Sequence, residues 1–90
     1  MNDVERTFAV FLGWCEEHGH TVTPDGRVPE SVAAELLGVS AKTLANWRSL
    51  GAGPRAYRLS GITYRLRDLA EFLEAQACEG DIEVARRMLE

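Results

Sequence analysis

The chain has 90 residues, of which 46% are apolar and 27% charged, and its formal net charge is −4. This length supports one domain with a modest core, and this composition excludes an intrinsically disordered chain. The sequence has no apolar run long enough for a membrane helix and no basic-then-apolar start typical of a secretory signal, so we expect a cytoplasmic protein.

The first predicted element is a helix over residues 3–18. Its apolar residues follow helical spacing and form a single stripe, made of Val4, Phe8, Phe11, Leu12 and Cys15. A glycine ends the helix, and residues 20–27 form a loop because Pro24-Asp25-Gly26 is a turn signal. Since the stripe would otherwise be exposed, we expect this helix to pack on the rest of the domain.

Two short helices follow, over residues 29–37 and 41–50. The first begins with a proline and a glutamate, which suit a first helical turn. Gly38 is predicted to close it as a left-handed cap, and Ser40 is predicted to be the N-cap of the second helix. Short helices joined by such a tight turn are typical of a helix-turn-helix unit.

The next predicted element is a β-hairpin with a Ser-Gly turn at residues 60–61. On each strand, alternation directs a tyrosine to the core face and an arginine to the outer face. These pairs are Tyr57 with Arg58, and Tyr64 with Arg65. The hairpin is the only sheet that we predict, so the expected sheet has two strands.

A fourth helix over residues 67–77 and a short last helix over residues 82–89 complete the predicted elements. Cys78 lies between them, and we expect it and Cys15 to be reduced thiols, because cytosolic cysteines rarely form structural disulfides. The predicted core consists of Phe8, Phe11, Leu36, Leu37, Val39, Leu44, Trp47, Leu59, Leu69, Phe72 and Leu73.

Charge is unevenly distributed along the chain. Residues 39–67, which we call the basic block, include six basic residues and no acidic one, whereas both ends of the chain are acidic. The six are Lys42, Arg48, Arg55, Arg58, Arg65 and Arg67. This asymmetry is typical of a nucleic-acid partner, or of a solvated face that the flanking acids neutralise, and charge alone does not separate the two. If the fold gathers the block on one face, we expect the acidic ends to turn away from it.

The third helix presents a polar outer face. Because successive helical residues are 100° apart, Leu44 and Trp47 point inward, and Lys42 and Asn46 point outward. Side chains of this kind reach base edges and phosphates in a major groove, and an asparagine can pair with adenine through two hydrogen bonds.

An ordered series of short motifs runs through residues 28–73. It comprises Ala33-Ala34, Leu37-Gly38-Val39-Ser40, Thr43-Leu44, Trp47, Gly51-Ala52-Gly53-Pro54, Tyr64, Leu69 and Phe72-Leu73. This series resembles the winged helix-turn-helix domain shared by phage excisionases, AlpA-like phage regulators and the DNA-reading end of MerR-type activators. The resemblance implies a mostly α fold, a winged helix-turn-helix with one β-hairpin. To it this chain adds an extra N-terminal helix and a short C-terminal helix.

The predicted organisation is a single domain over residues 1–90. Residues 1–27 form the N-terminal helix and loop, residues 28–77 the winged helix-turn-helix core, and residues 78–90 the acidic C-terminal helix. The predicted function is sequence-specific binding of double-stranded DNA by a small phage- or prophage-type regulator, with self-association or cooperative assembly on DNA as a further expectation. The predicted DNA-binding residues are Ser40, Lys42, Thr43, Asn46, Arg48, Arg55, Arg58 and Arg65.

Two alternatives remain open at this point. One is a protein-interaction adaptor that uses its acidic ends, and the other is a small DNA-packaging subunit of the terminase type. We expect no catalytic residues, metal or cofactor. His18 and His20 have no third partner at ligand spacing, and the sequence contains no phosphate-binding glycine loop or Cys-x-x-Cys motif.

Overall fold

The computed structural model describes residues 2–77, which form four helices and a three-stranded sheet. In chain order these are α1 (Asp3–Glu17), β1 (Arg27–Pro29), α2 (Glu30–Leu37), α3 (Ala41–Ser49), β2 (Ala56–Arg58), β3 (Ile62–Arg65) and α4 (Leu66–Ala75). The predicted last helix and Cys78 lie outside the described residues. No helix within residues 2–77 is long and apolar enough to cross a membrane.

The N-terminal helix α1 packs on the rest of the domain, as predicted. The Asn2 side chain caps its start by accepting a backbone N–H of the first turn at 2.8 Å. The apolar stripe faces inward, and Phe11 and Cys15 are buried. The Thr7 hydroxyl donates to Glu74 Oε1 at 2.6 Å and so ties α1 to α4.

The turn between α2 and α3 has the predicted geometry. Gly38 adopts φ 74° and ψ 28°, a left-handed conformation that costs a residue without a Cβ atom little. Ser40 caps α3, and its Oγ accepts the backbone N–H of Thr43 at 3.0 Å. Leu44 is fully buried in the core between the two helices and the sheet.

The sheet has three strands, so the prediction of a lone hairpin was wrong. Its order is β1-β3-β2, both pairs are antiparallel, and Val28 of β1 lies opposite Tyr64 of β3. The added strand is three residues long with a single buried side chain, and its partner lies beyond α3 in the sequence. A segment this short has no alternation to detect, and we therefore predicted it as the end of a loop and the start of a helix.

The register of the hairpin corrects the predicted faces of the wing. The connection between β2 and β3 is three residues long, so Tyr57 pairs with Thr63, whereas the predicted two-residue turn would pair it with Tyr64. A shift of one residue moves a side chain to the other face of the sheet. Tyr64 is fully buried, while Tyr57 lies on the opposite, outer face. Arg58 lies opposite Ile62 and shares the face of Tyr64, so Arg58 and Arg65 do not face the same side.

The core forms where α1, α2, α3 and α4 meet the inner face of the sheet. Its fully buried large side chains are Tyr64, Leu44, Leu66, Leu69, Val28 and Cys15. Most predicted core residues are either buried or packed against this cluster, and Trp47 packs on Phe72 with ring centroids 5.7 Å apart. Two predicted core residues were wrong: Leu59 in the hairpin turn is 64% exposed, and Leu73 on α4 is 38% exposed.

Candidate functional site

One face of α3 is polar and open to solvent. Lys42, Asn46 and Ser49 are all exposed and recur at spacings of four and three, which places them on one side of the helix. Within residues 2–77, no ion pair involves Lys42 and no hydrogen bond engages the side-chain amide of Asn46. The Ser49 hydroxyl donates to the Asn46 carbonyl at 2.9 Å. This face therefore offers an ammonium and an amide to a partner molecule.

The other two predicted contacts at the start of α3 already serve the helix. Besides accepting the N–H of Thr43, the Ser40 hydroxyl donates to Thr43 Oγ1 at 2.9 Å. Ser40 is exposed, and its hydroxyl hydrogen is used in this bond. Thr43 is half-buried and keeps its own hydroxyl hydrogen for a partner.

Arg48, at the end of α3, joins a network with Glu30 and Tyr64. Arg48 Nε and Nη2 donate to Glu30 Oε2 and Oε1 at 3.1 and 3.3 Å, and the Tyr64 hydroxyl donates to Glu30 Oε2 at 2.8 Å. The network connects the start of α2, the end of α3 and strand β3. Arg48 and Glu30 keep only 26% and 20% of their side-chain surface exposed.

The titration of these groups follows from their contacts. Partial burial alone would raise the pKa of Glu30, but the hydrogen bonds from Arg48 and Tyr64 outweigh it and hold that pKa below its ordinary value. Burial, together with the hydrogen bond to Glu30, raises the pKa of Tyr64 to about 12. The network is thus a carboxylate held between a guanidinium and a neutral phenol at all moderate pH values.

The wing, which we define as Arg55 together with β2, β3 and their connection, presents its arginines on two sides. Arg55 and Arg58 are exposed, and with Arg48 they line an open groove of 330 Å³ between the end of α3 and β2. On the outer face, the Arg65 guanidinium lies 4.9 Å from the Tyr57 ring centroid, and Arg55 approaches the same ring at 5.6 Å.

Acidic residues from the N-terminal part of the chain contact the basic block. The prediction that this acidic end lies away from the block was therefore wrong. Asp25 lies 3.8 Å from Arg65, and its pKa is lowered by hydrogen bonds from Thr23 and Arg27. Glu5 on α1 pairs with Arg67, and this hydrogen-bonded contact lowers the Glu5 pKa. Together with Glu30, these acids neutralise part of the block within the fold.

These three acidic partners were missed at the level of sequence. Glu30 was assigned only a favourable place at the positive end of a helix dipole. Its contact with Arg48 joins the start of α2 to the end of α3. No local sequence pattern indicates this contact or those of Glu5 and Asp25.

The histidines near the end of α1 stack on an indole. His18 and His20 lie 4.2 and 5.2 Å from Trp14, measured between ring centroids. No group of three or more metal-ligating side chains occurs within the described residues. Cys15 is a free thiol whose pKa is raised by burial and by the nearby Glu16 carboxylate.

Comparison with known families agrees with this geometry. A family model described as a helix-turn-helix domain matches residues 31–77, just over half of the chain. This range holds α3, the wing, α4 and all of α2 except its first residue. Searches of the curated proteins and of the solved structures returned no significant match. A helix-turn-helix domain suggests DNA binding.

Proposed function

The chain belongs to the helix-turn-helix domain family, and from this premise we propose that it binds double-stranded DNA in a sequence-specific manner. In this proposal α3 is the recognition helix and enters the major groove. The observation that carries the proposal is the exposed polar face of α3. On this face the side chains of Lys42 and Asn46 have no hydrogen-bond or ion-pair partner within residues 2–77. An amide and an ammonium on one helical face match the base-edge and phosphate contacts that DNA-reading helices make.

The wing supplies the second contact in this proposal. Arg58 is exposed beside the end of α3, so it can contact a phosphate of the strand that borders the groove occupied by the helix. Arg65 lies on the outer face near Asp25, and its charge is partly neutralised there. We therefore assign the phosphate contacts mainly to Arg55 and Arg58.

We further propose that the protein is an excisionase-like factor or a transcriptional regulator, of phage or prophage type. It would act in the cytoplasm by docking on DNA, bending it and recruiting other proteins, without chemistry of its own. A single module of this size buries roughly 600–1,000 Å² on DNA, so self-association or cooperative assembly would raise a modest affinity.

One observation favours the adaptor alternative. Glu5 and Asp25 pair with Arg67 and Arg65, so acids of the N-terminal part partly cover the basic block. If the protein were an adaptor, the acidic segments would bind a basic protein and the exposed face of α3 would not be needed for that contact.

The proposal is tested by selecting bound sequences from random duplex DNA and measuring affinity at several salt concentrations. A DNA-binding protein enriches a motif and loses affinity steeply as salt rises, because phosphate contacts release counterions. Arg58→Ala should flatten the slope by about one unit, and Arg65→Ala, the matched control on the neighbouring strand, by less. If no motif is enriched and binding is independent of salt, the adaptor reading replaces this proposal.

A further inference from the structure

The groove beside the wing combines a defined shape with an unusual lining. It lies between the end of α3 and β2, and the loop formed by residues 51–54 also lines it. Its volume of 330 Å³ is several times the ~30 Å³ share of one water molecule, so it has room for a tetrahedral anion.

Within the described part of the chain, three arginines line this groove and no acidic side chain does. They are Arg48, Arg55 and Arg58. Arg48 donates its Nε–H and one Nη2 hydrogen to Glu30, so its Nη1 hydrogens can be donated to a ligand. Arg55 and Arg58 have no ion pair within residues 2–77, although the Arg55 guanidinium lies 5.6 Å from the Tyr57 ring centroid and must turn from that ring to reach a ligand in the groove. Guanidinium groups suit phosphate because their planar forks donate paired hydrogen bonds to its oxygens.

The position beside a helix C-terminus is at first sight unfavourable for an anion, because the helix dipole is negative there. In this fold the carbonyls of Asn46, Trp47 and Arg48 accept backbone N–H groups of the residues that follow α3. Leu50 N–H donates to the Asn46 carbonyl at 3.1 Å, and Ala52 N–H donates to the Trp47 carbonyl at 2.8 Å. These bonds reduce the negative partial charge at this end of α3, and the arginines of the groove oppose what remains.

The loop of residues 51–54 packs closely against α3. Pro54 is buried, and Gly53 adopts φ 80° so close to α3 that a Cβ atom added there would lie 3.1 Å from Trp47 Cβ. The two hydrogen bonds to Glu30 fix the orientation of the Arg48 guanidinium. The backbone of the groove is thus fixed by packing, whereas the exposed side chains of Arg55 and Arg58 would be ordered by a ligand.

We propose that this groove binds one phosphate group, with Arg55 and Arg58 as direct ligands and Arg48 as a third donor held in place by Glu30. The inference rests on the proposed function in one respect: if the protein binds duplex DNA, the phosphate is a single defined phosphodiester of the backbone. The same chemistry would also accept free inorganic phosphate, and the experiment separates the two sources.

The test replaces one phosphodiester at a time by a neutral methylphosphonate in a duplex carrying the selected motif. One position should lower the affinity of the parent protein on the order of 10-fold, because a charge-assisted contact is lost there. Arg58→Ala should lower affinity for the unmodified duplex by a similar factor and should lose nothing further at that position. This non-additivity is the signature of a direct pair.

The control variant is Arg6→Ala, which removes the same charge from an exposed site on α1 outside the groove. It should keep the full sensitivity to the neutral linkage. Arg55→Ala provides a second groove variant, and Arg58→Lys should recover part of the loss because it restores the charge without the planar fork. If both groove variants respond to every neutral linkage as the parent does, the groove holds no backbone phosphate and the proposal fails, while DNA binding itself stands.

A second arm titrates the parent protein with inorganic phosphate and follows the Nε–Hε signals of its arginines by NMR. Saturable shifts of Arg48, Arg55 and Arg58 at submillimolar phosphate, without binding to any duplex, would identify a free-phosphate site and overturn the proposed DNA function. No shift with phosphate and no coupling on DNA would overturn the groove proposal alone.

Discussion

Replacing Glu30 by alanine should destabilise the fold far more than the loss of an ordinary surface carboxylate. The Glu30 carboxylate accepts three hydrogen bonds, two from Arg48 and one from Tyr64. Hydrogen bonds to charged groups contribute about 1.5–3 kcal/mol each, and an orphaned buried group costs about 1–3 kcal/mol. Tyr64 is fully buried and would lose its partner, whereas Arg48, 26% exposed, would regain some hydration. We therefore expect a loss of about 2–4 kcal/mol in the free energy of unfolding.

Urea unfolding followed by far-UV circular dichroism measures this loss. A small domain has a total stability of about 5–15 kcal/mol, so the midpoint should fall markedly and Tm should drop by roughly 10–25 °C. The matched control is Glu35→Ala on the same helix, whose carboxylate is 60% exposed and lies 3.9 Å from His20 Nε2. That change should cost less than about 0.5 kcal/mol. Equal midpoints for Glu30→Ala and Glu35→Ala would refute the assignment of a stabilising network.

The remaining predictions concern recognition, backbone strain and alkaline pH. Asn46→Ala should relax sequence preference and Lys42→Ala should weaken binding to all duplexes, each by about 1–3 kcal/mol. Fluorescence anisotropy on matched and scrambled sites measures both effects, and equal behaviour of the two variants on both sites would contradict this assignment of roles. Gly53→Ala should cost about 1–3 kcal/mol in unfolding free energy, more than Gly51→Ala, because both positions have positive φ but only Gly53 lies against a side chain. Since burial raises the pKa of Tyr64 to about 12, its neutral phenol stabilises the fold up to about pH 10, and this contribution is lost between pH 10 and 12. Over that range the parent should lose about 2–3 kcal/mol relative to Tyr64→Phe, and parallel stability curves would contradict the shift.

The parts of the fold that sequence predicted are those set by local chemistry. Gly38 directly follows the helix that it closes, and Ser40 directly precedes the helix that it caps, so their conformational preferences act within one turn. The stripe on α1 is likewise a pattern within a single helix, and it predicted the buried face correctly. Such signals are complete in a window of about a dozen residues.

What sequence did not predict depends on contacts between distant segments. Strand β1 exists because Val28 pairs with Tyr64 across the sheet, and no pattern in the sequence indicates that these two residues pair. The face of Tyr57 depends on whether the hairpin connection has two or three residues, a difference that a Ser-Gly pair does not decide. For the candidate site, the exposed residues of α3 were accessible from helical spacing, but the partner of Arg48 was not assigned.

The ion pairs change what the charge pattern means for function. Of the six cations in the basic block, Arg48, Arg65 and Arg67 have acidic partners within residues 2–77, all from the part of the chain before α3. The remaining three are Lys42 on α3, Arg58 on the side of the wing that adjoins α3, and Arg55, which lines the groove and also approaches the Tyr57 ring. Within residues 2–77, the basic-block charge without an acidic partner therefore lies on the helix that would read bases and at the groove next to it. On a chain with a net charge of −4, such a placement favours approach in one orientation and limits non-specific attraction elsewhere on the surface.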